Sequence, residues 1–437
     1  MFSVERFITS TLRANIHRSS VTNVLAAAFN AVESGAAVKE YLRGHPLPPA
    51  QQVFAFGLGK AACAMTQALA DENNLTDALV ITKHASSLTV EPFDQTQDRP
   101  VTVIEGDHPV PGMASVEAGK AAIKFVSQLT PDDLLVCLIS GGGSALMIAP
   151  CVPLADLQSL TFELLACGAR IDEINTLRRH LDQLKGGGLA SLAASRGARV
   201  VSLLLSDVVD ASFETIASGP TAPDSTTRAD ALSIIEKHNL KNKIPDSISQ
   251  SLRETLKPND PIFSRVQNTV IASNEIALFA AQAQAQSDGF QTKIIQTGVQ
   301  GEAQIVGYDI ASRFKKSLQT MRRPFCLLAG GETTVTLKGN GKGGRNQELA
   351  IAAVDVLAGL ENIMFISLAT DGEDGPTDAA GAVVTGETAQ RAGLLGMSAV
   401  EYLSRNDAYS FFAALNDLVK TGPSGTNVND LVFCFAF

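Results

Sequence analysis

Tryptophan is missing from the chain and only four tyrosines are present, so the aromatic platforms on which single-stranded bases stack are scarce. The net charge of −10 at pH 7 has the wrong sign for non-specific attraction to a polyanion. Nucleic acid is therefore not an expected partner. The six cysteines, at 63, 137, 151, 167, 326 and 434, form no Cys-x-x-Cys pair and no repeated spacing, which argues against a zinc ribbon and a disulfide framework and fits a reducing cytoplasm. No apolar run approaches the ~18 residues of a membrane span, and the amino terminus lacks a signal-peptide apolar region. Arg6, Arg13 and Arg18 among serines and threonines give a faint likeness to a transit peptide, but Phe7, Leu12, Ile16, Val24 and Leu25 equally supply the apolar face of first helices. No membrane partner is expected, and oligomerisation is left open.

What the chain has is apolar material, 45% of 437 residues, more than one hydrophobic core usually serves. Short apolar runs at 53–56, 78–81, 101–104, 134–139 and 200–205 alternate with helical periodicity at 113–129, 154–167 and 171–184. That is the βα alternation of a doubly wound parallel sheet. A second set of runs, at 269–272, 292–295, 325–329 and 364–369, is again separated by helical stretches. The polar, proline-bearing segment 257–261 divides two α/β domains, 1–260 and 261–437. The closing run 431–437 fits either sheet.

Two cations stand where helices begin: Lys60 in GLGKAA (57–62) and Arg345 in GGRNQE (343–348). A positive charge in a first turn opposes the helix dipole by roughly 0.3–1 kcal/mol, a placement that a bound anion would relieve. GLGKAA also matches the loose dinucleotide fingerprint G-x-G-x-x-A, yet the following strand ends in Lys83 and His84 rather than the acid that would hold a ribose hydroxyl. It is not a Walker A loop, since Ala61 stands where Ser or Thr would meet magnesium. SGGGSA (140–145) follows the strongest strand of the first half; Gly141, Gly142 and Gly143 let backbone N–H groups approach an anion, and Ser144 is placed to cap the next helix. The absence of G-x-S-x-G removes Ser144 as a hydrolase nucleophile.

Carboxylates are concentrated past strand ends. Asp207 follows the run 200–205, Glu332 follows 325–329, and Asp371, Glu373, Asp374 and Asp378 follow 364–369. The last loop is no EF-hand, because Gly375, Pro376 and Ala382 occupy the fifth, sixth and twelfth positions counted from Asp371. A carboxylate loop at a strand end can hold Mg²⁺ or take a proton from a hydroxyl. His108 and His180 are scattered singly and read as structural histidines. Anion cradles with an acid loop point to metal-assisted phosphoryl transfer.

The ordered set GLGK (57–60), HPVP (108–111), SGGGSA (140–145), KGG (185–187), IASGPT (216–221), GGETT (330–334), GGRNQE (343–348), DGEDGPTDAAG (371–381) and GTNVNDL (425–431) resembles the class II glycerate kinases, whose carboxyl-terminal half is called the MOFRL domain. The resemblance implies a larger Rossmann-like domain, a smaller α/β MOFRL domain, and an active site in the cleft between them. It implies transfer of the ATP γ-phosphoryl group, with Mg²⁺, to the 2-hydroxyl of D-glycerate. The family's cleft residues correspond to Lys60, Arg345 and Asp371, the expected catalytic residues; from the residues themselves, Ser140, Gly141, Gly142, Gly143 and Ser144 read as the nucleotide loop, and Asp207, Glu332 and Asp374 as candidate metal contacts. Two departures stand out: Asp210-Ala211 where the family has Gly-Asp, and Gly112 where an acid is expected. A hydroxypyruvate reductase using NADH or NADPH is the second reading, and a non-catalytic anion-binding protein the third.

Overall fold

The computed structural model describes residues 2–83, 101–208 and 212–437, so His84, Asp210 and Ala211 lie outside the described residues. The chain folds into two compact units, one of Ala37–Ile271 and one of Met1–Ala36 with Ala272–Phe437.

In the first unit, β1 (Val53–Leu58), β2 (Asp77–Thr82), β3 (Val101–Glu105), β4 (Leu134–Ile139), β5 (Arg199–Leu205) and β6 (Val266–Ala272) form one sheet. Its order is β3-β2-β1-β4-β5-β6, and the four pairs from β3 through β5 are parallel. This is the doubly wound order, in which β1 and β4 run side by side but their crossovers depart in opposite directions. The continuous apolar runs follow from burial on both faces: every residue of β4 is buried. Helices Met113–Ser127 and Gly188–Ser195 supply the facing apolar stripe through Ala118, Ala122, Phe125, Leu189 and Ala193.

The second unit holds β7 (Gln291–Val299), β8 (Phe325–Gly331), β9 (Ile363–Ala369), β10 (Gly381–Val384), β11 (Leu418–Val419) and β12 (Asp430–Ala436), in the order β11-β10-β9-β12-β8-β7. Only β7 and β8 are parallel; β12 inserts antiparallel between β8 and β9, and β10 and β11 continue antiparallel. The closing strand therefore completes the second sheet. Helix Arg345–Leu357 covers it through Leu349, Ala353, Val354 and Leu357.

The units divide the chain differently from the boundary at 260/261. The run 269–272 belongs to β6, an edge of the first sheet next to β5, so the chain leaves the first unit only after that strand. The amino-terminal segment joins the second unit, where Phe2, Phe7 and Phe29 pack ring against ring and Leu12, Val24 and Leu25 are fully buried. Ile16, expected on that apolar face, is instead 91% exposed. Among the described residues no single helix is long and apolar enough to cross a membrane.

Candidate functional site

The first unit brings Lys60, the glycine loop and Asp207 to the carboxyl ends of β1, β4 and β5, the switch point at which open α/β sheets bind ligands. The two loops are locked together: Lys60 N–H donates to Gly141 O at 3.0 Å, and Ala61 N–H donates to the buried Ser140 Oγ at 3.0 Å. Gly59 N–H donates to Ile81 O and Ala62 N–H to Gly59 O. Each amide from 59 to 62 is thus spent inside the protein, which removes the cradle a dinucleotide pyrophosphate would need. Ser140 thereby joins the two loops.

At 142 the backbone has φ +88°, and an added Cβ would stand 3.4 Å from Lys60 Cγ and 3.5 Å from His108 Cδ2. The exposed Lys60 and the His108 ring therefore flank the same glycine. Burial, and then the charges of Lys60 and Lys83, lower the His108 pKa. Sequence reasoning treated His108 as structural; the signal was its HPVP motif. Asp107 beside it accepts from Ala114 N–H at 3.0 Å at the start of helix Met113–Ser127, and a side chain at Gly112 would collide with that carboxylate. A side chain at 112 and the present position of Asp107 are therefore mutually exclusive. Ser144 does not cap: the N-cap is Gly142, and Ser144 Oγ lies 2.9 Å from the buried Ser218 Oγ. Ser218 sits in an unusual turn with Ala217, both at positive φ (+61° and +52°), the kind of backbone strain that clusters at ligand sites. The KGG segment pins this turn, with Gly186 N–H donating to Ser218 O and Gly187 N–H to Gly219 O. His180 fits its structural reading: it is fully buried, with Nδ1 2.7 Å from Arg253 O.

In the second unit an open groove of about 1350 Å³ is lined by Glu332, Leu337, Arg345, Asp371, Glu373 and Asp374, among others. Arg345 opens its helix, but the electrostatic discomfort expected there is relieved internally. Asp374, buried, accepts from Asn346 N–H at 3.0 Å and Gln347 N–H at 2.8 Å, doing the capping that Gly344 cannot. The guanidinium grips Asp430 through Nε (2.6 Å) and Nη2 (3.1 Å) and Glu332 through Nη1 (2.8 Å). Burial opposes the charge on Arg345, but Asp430 and Glu332 outweigh it and raise its pKa. Asp371 accepts from Glu373 N–H through Oδ1 at 3.2 Å and, through its carbonyl, from Ser424 N–H at 3.0 Å.

The three candidate metal contacts have different local surroundings. Asp207 belongs to the first unit, Glu332 pairs with Arg345, and both oxygens of Asp374 receive amide hydrogens. Among the described residues no group of three or more His, Cys, Asp or Glu is arranged to hold a metal. Sequence reasoning also missed Asp430, whose place depends on β12 entering the second sheet.

Comparison with known proteins identifies the relatives of this chain. Residues 20–253 match the domain of unknown function DUF4147, and residues 325–430 match the MOFRL family. A D-glycerate 2-kinase from Thermotoga maritima is 38% identical over 417 residues, 94% of this chain and 96% of that protein. A crystal structure of glycerate kinase from the same organism superposes with a TM-score of 0.88 at 37% identity, covering 96% of this chain and 99% of that one. A putative hydroxypyruvate reductase from Agrobacterium vitis is 40% identical over 387 residues, 86% of this chain and 97% of that protein.

Proposed function

We propose that this chain, which belongs to the glycerate kinase family with a MOFRL carboxyl-terminal half, phosphorylates D-glycerate at the 2-hydroxyl, that the phosphoryl donor is magnesium-bound ATP, and that Lys60, Arg345 and Asp371 carry the transfer. The observation that supports this assignment most is Lys60 standing over the 141–143 glycine loop at the β1/β4 switch point. Phosphoryl transfer asks the protein for positioning and for stabilisation of charge on the equatorial oxygens, with little covalent chemistry of its own. Lys60 brings a mobile ammonium, a point charge suited to phosphate. Gly141 to Gly143 let the chain approach phosphate oxygens, and the helix start at Gly143 leaves its first amides without helical partners.

Arg345 offers a planar fork to the glycerate carboxylate or the migrating phosphoryl group. Asp371, in the same groove, takes the 2-hydroxyl proton or orients that oxygen for in-line attack. Magnesium usually takes one or two carboxylates together with phosphate oxygens, so a trio of protein ligands is not required. Asp207 fits this role, its carboxylate lying against Gly141 of the glycine loop, and Glu332 is a second oxygen donor in the groove. The Asp374 oxygens serve the helix start instead. Magnesium, when bound, neutralises phosphate charge.

The test is purified protein with D-glycerate and Mg-ATP, following ADP and locating the phosphoryl group by ³¹P NMR. Formation of 2-phosphoglycerate is expected. Oxidation of NADH on addition of hydroxypyruvate, without ADP release, would replace this reading with the reductase.

A further inference from the structure

Arg345 is held by carboxylates to an extent that needs its own explanation. A guanidinium has five N–H donors; Asp430 takes one on Nε and one on Nη2, and Glu332 takes one on Nη1. One hydrogen on each Nη is then left to meet a ligand. The two acids are not equivalent. The Glu332 side chain is 46% exposed and makes a single contact, an arrangement that contributes little. The Asp430 side chain is 6% exposed and makes two.

Asp430 is itself fixed from three directions. As the first residue of β12 it stands opposite Gly331 of β8 and Ala369 of β9. Its carbonyl accepts from Asn274 Nδ2 at 2.9 Å, and its Oδ1 accepts from Asn346 Nδ2 at 2.8 Å. Asn346 is held in turn by Ser367 Oγ at 2.8 Å. The antiparallel entry of β12 thus places a buried carboxylate where the neighbouring strands deliver Glu332 and Asp371, and a relay running back to β9 fixes the orientation of that carboxylate.

We propose that Asp430 is the positioning residue for Arg345, holding the Nε/Nη2 edge of the guanidinium so that its remaining fork faces the groove. The proposal rests on Arg345 acting on an anionic group in the reaction. Without Asp430 the arginine keeps its charge and loses its aim, a defect that appears in kcat when the fork serves the transition state rather than ground-state binding.

The experiment is a double-mutant cycle with Asp430→Asn, which keeps volume and removes the charge, and Arg345→Lys, which keeps charge and removes the fork. Each single variant is expected to lower kcat about 10²-fold, with KM for D-glycerate changed less than about 3-fold. In the Arg345→Lys background, Asp430→Asn is expected to cost less than about 3-fold more, because the fork it aims is already gone. Wild-type kinetics in Arg345→Lys would remove the underlying role of Arg345. An impaired Arg345→Lys beside an unimpaired Asp430→Asn would overturn the proposal alone, and so would two defects that multiply. If Asp430→Asn does not fold by circular dichroism, Asp430→Glu takes its place in the cycle. It keeps the charge and shifts the carboxylate by one methylene, and the same outcomes decide.

Discussion

The Asp207 carboxylate occupies the space a side chain at Gly141 would need, so that even a methyl group there would meet Oδ2. Gly141 is glycine because Asp207 comes this close. That relationship supplies a way to move Asp207 without deleting it. Gly141→Ala is expected to fold with a loss under about 2 kcal/mol, since the colliding atom is the end of a side chain that can swing away. It is also expected to lose at least about tenfold in kcat/KM for Mg-ATP, because the displaced carboxylate no longer serves the glycine loop. Steady-state kinetics over a magnesium titration, beside Asp207→Asn, measure this. Full activity in both variants would remove Asp207 from the reaction.

Lys60 is exposed, and its stem and the His108 ring flank the glycine at 142. Lys60→Ala is therefore expected to melt within about 2 °C of wild type while losing about 10²–10³ in kcat, the usual cost of removing one donor from a developing anion. Lys60→Arg is not expected to rescue it, because a wide planar guanidinium does not follow the path of a compact ammonium past the His108 ring. Calorimetry and initial rates decide together. An Arg variant with wild-type kinetics would show that only net charge matters at this position.

How much of this was legible in the sequence depends on whether the pattern is local. Apolar runs located β1 to β5 within one or two residues; β1, β2, β4 and β5 are buried on both faces and need no alternation, whereas β3 is an edge strand with no fully buried residue. The loops carrying Lys60, Gly141 to Gly143 and Asp371 were found because glycines and charges directly after such runs are visible in a short window. Pairing was not legible. Nothing in the composition of 430–436 says that it runs antiparallel between β8 and β9, so Asp430 passed as one more acid and Arg345 looked uncompensated. Asp374 misled for the same reason: its sequence neighbours suggest a metal loop, while its hydrogen bonds reach a helix start 27 and 28 residues away. The short strands β10 and β11, four and two residues long, were below what periodicity can resolve.

The IASGPT turn is followed by a buried ion pair, Arg179 Nε to Asp224 Oδ1 at 3.0 Å, with side chains 5% and 0% exposed. Thr226 and Thr255 hydroxyls also donate to Asp224, at 2.7 and 2.9 Å. Removing one member of such a pair strands the other charge without water. Asp224→Ala is expected to destabilise the protein by about 3–5 kcal/mol, read as a shift of the first urea transition. A loss below about 1 kcal/mol would mean that water replaces the carboxylate, and that the turn carrying Ser218 does not depend on it.

Acid should inactivate the protein before it unfolds it. Burial pushes Asp374 up to about 7 against the pull of the Asn346 and Gln347 amides, and pushes Asp430 up to about 6 against the pull of Arg345. Both lie above the ~3.9 of a free aspartate, so between about pH 4 and 7 the folded protein holds more protons on these groups than the unfolded chain does. Their contribution to stability is therefore complete below about 4 and is lost as pH rises through 6 and 7. Acidification from pH 8 to 6 cannot destabilise the fold through these two groups, yet it discharges the carboxylate that holds Arg345. A reversible fall in kcat is expected, with apparent values near 6 to 7 that belong to the pair rather than to either residue, and without a fall in melting temperature arising from them. Asp374→Asn should move the acid limb to lower pH and flatten the dependence of melting temperature on pH across the same window. Kinetics and differential scanning calorimetry from pH 5.5 to 8 test both halves, and an acid limb unmoved in that variant would assign the titration to another group.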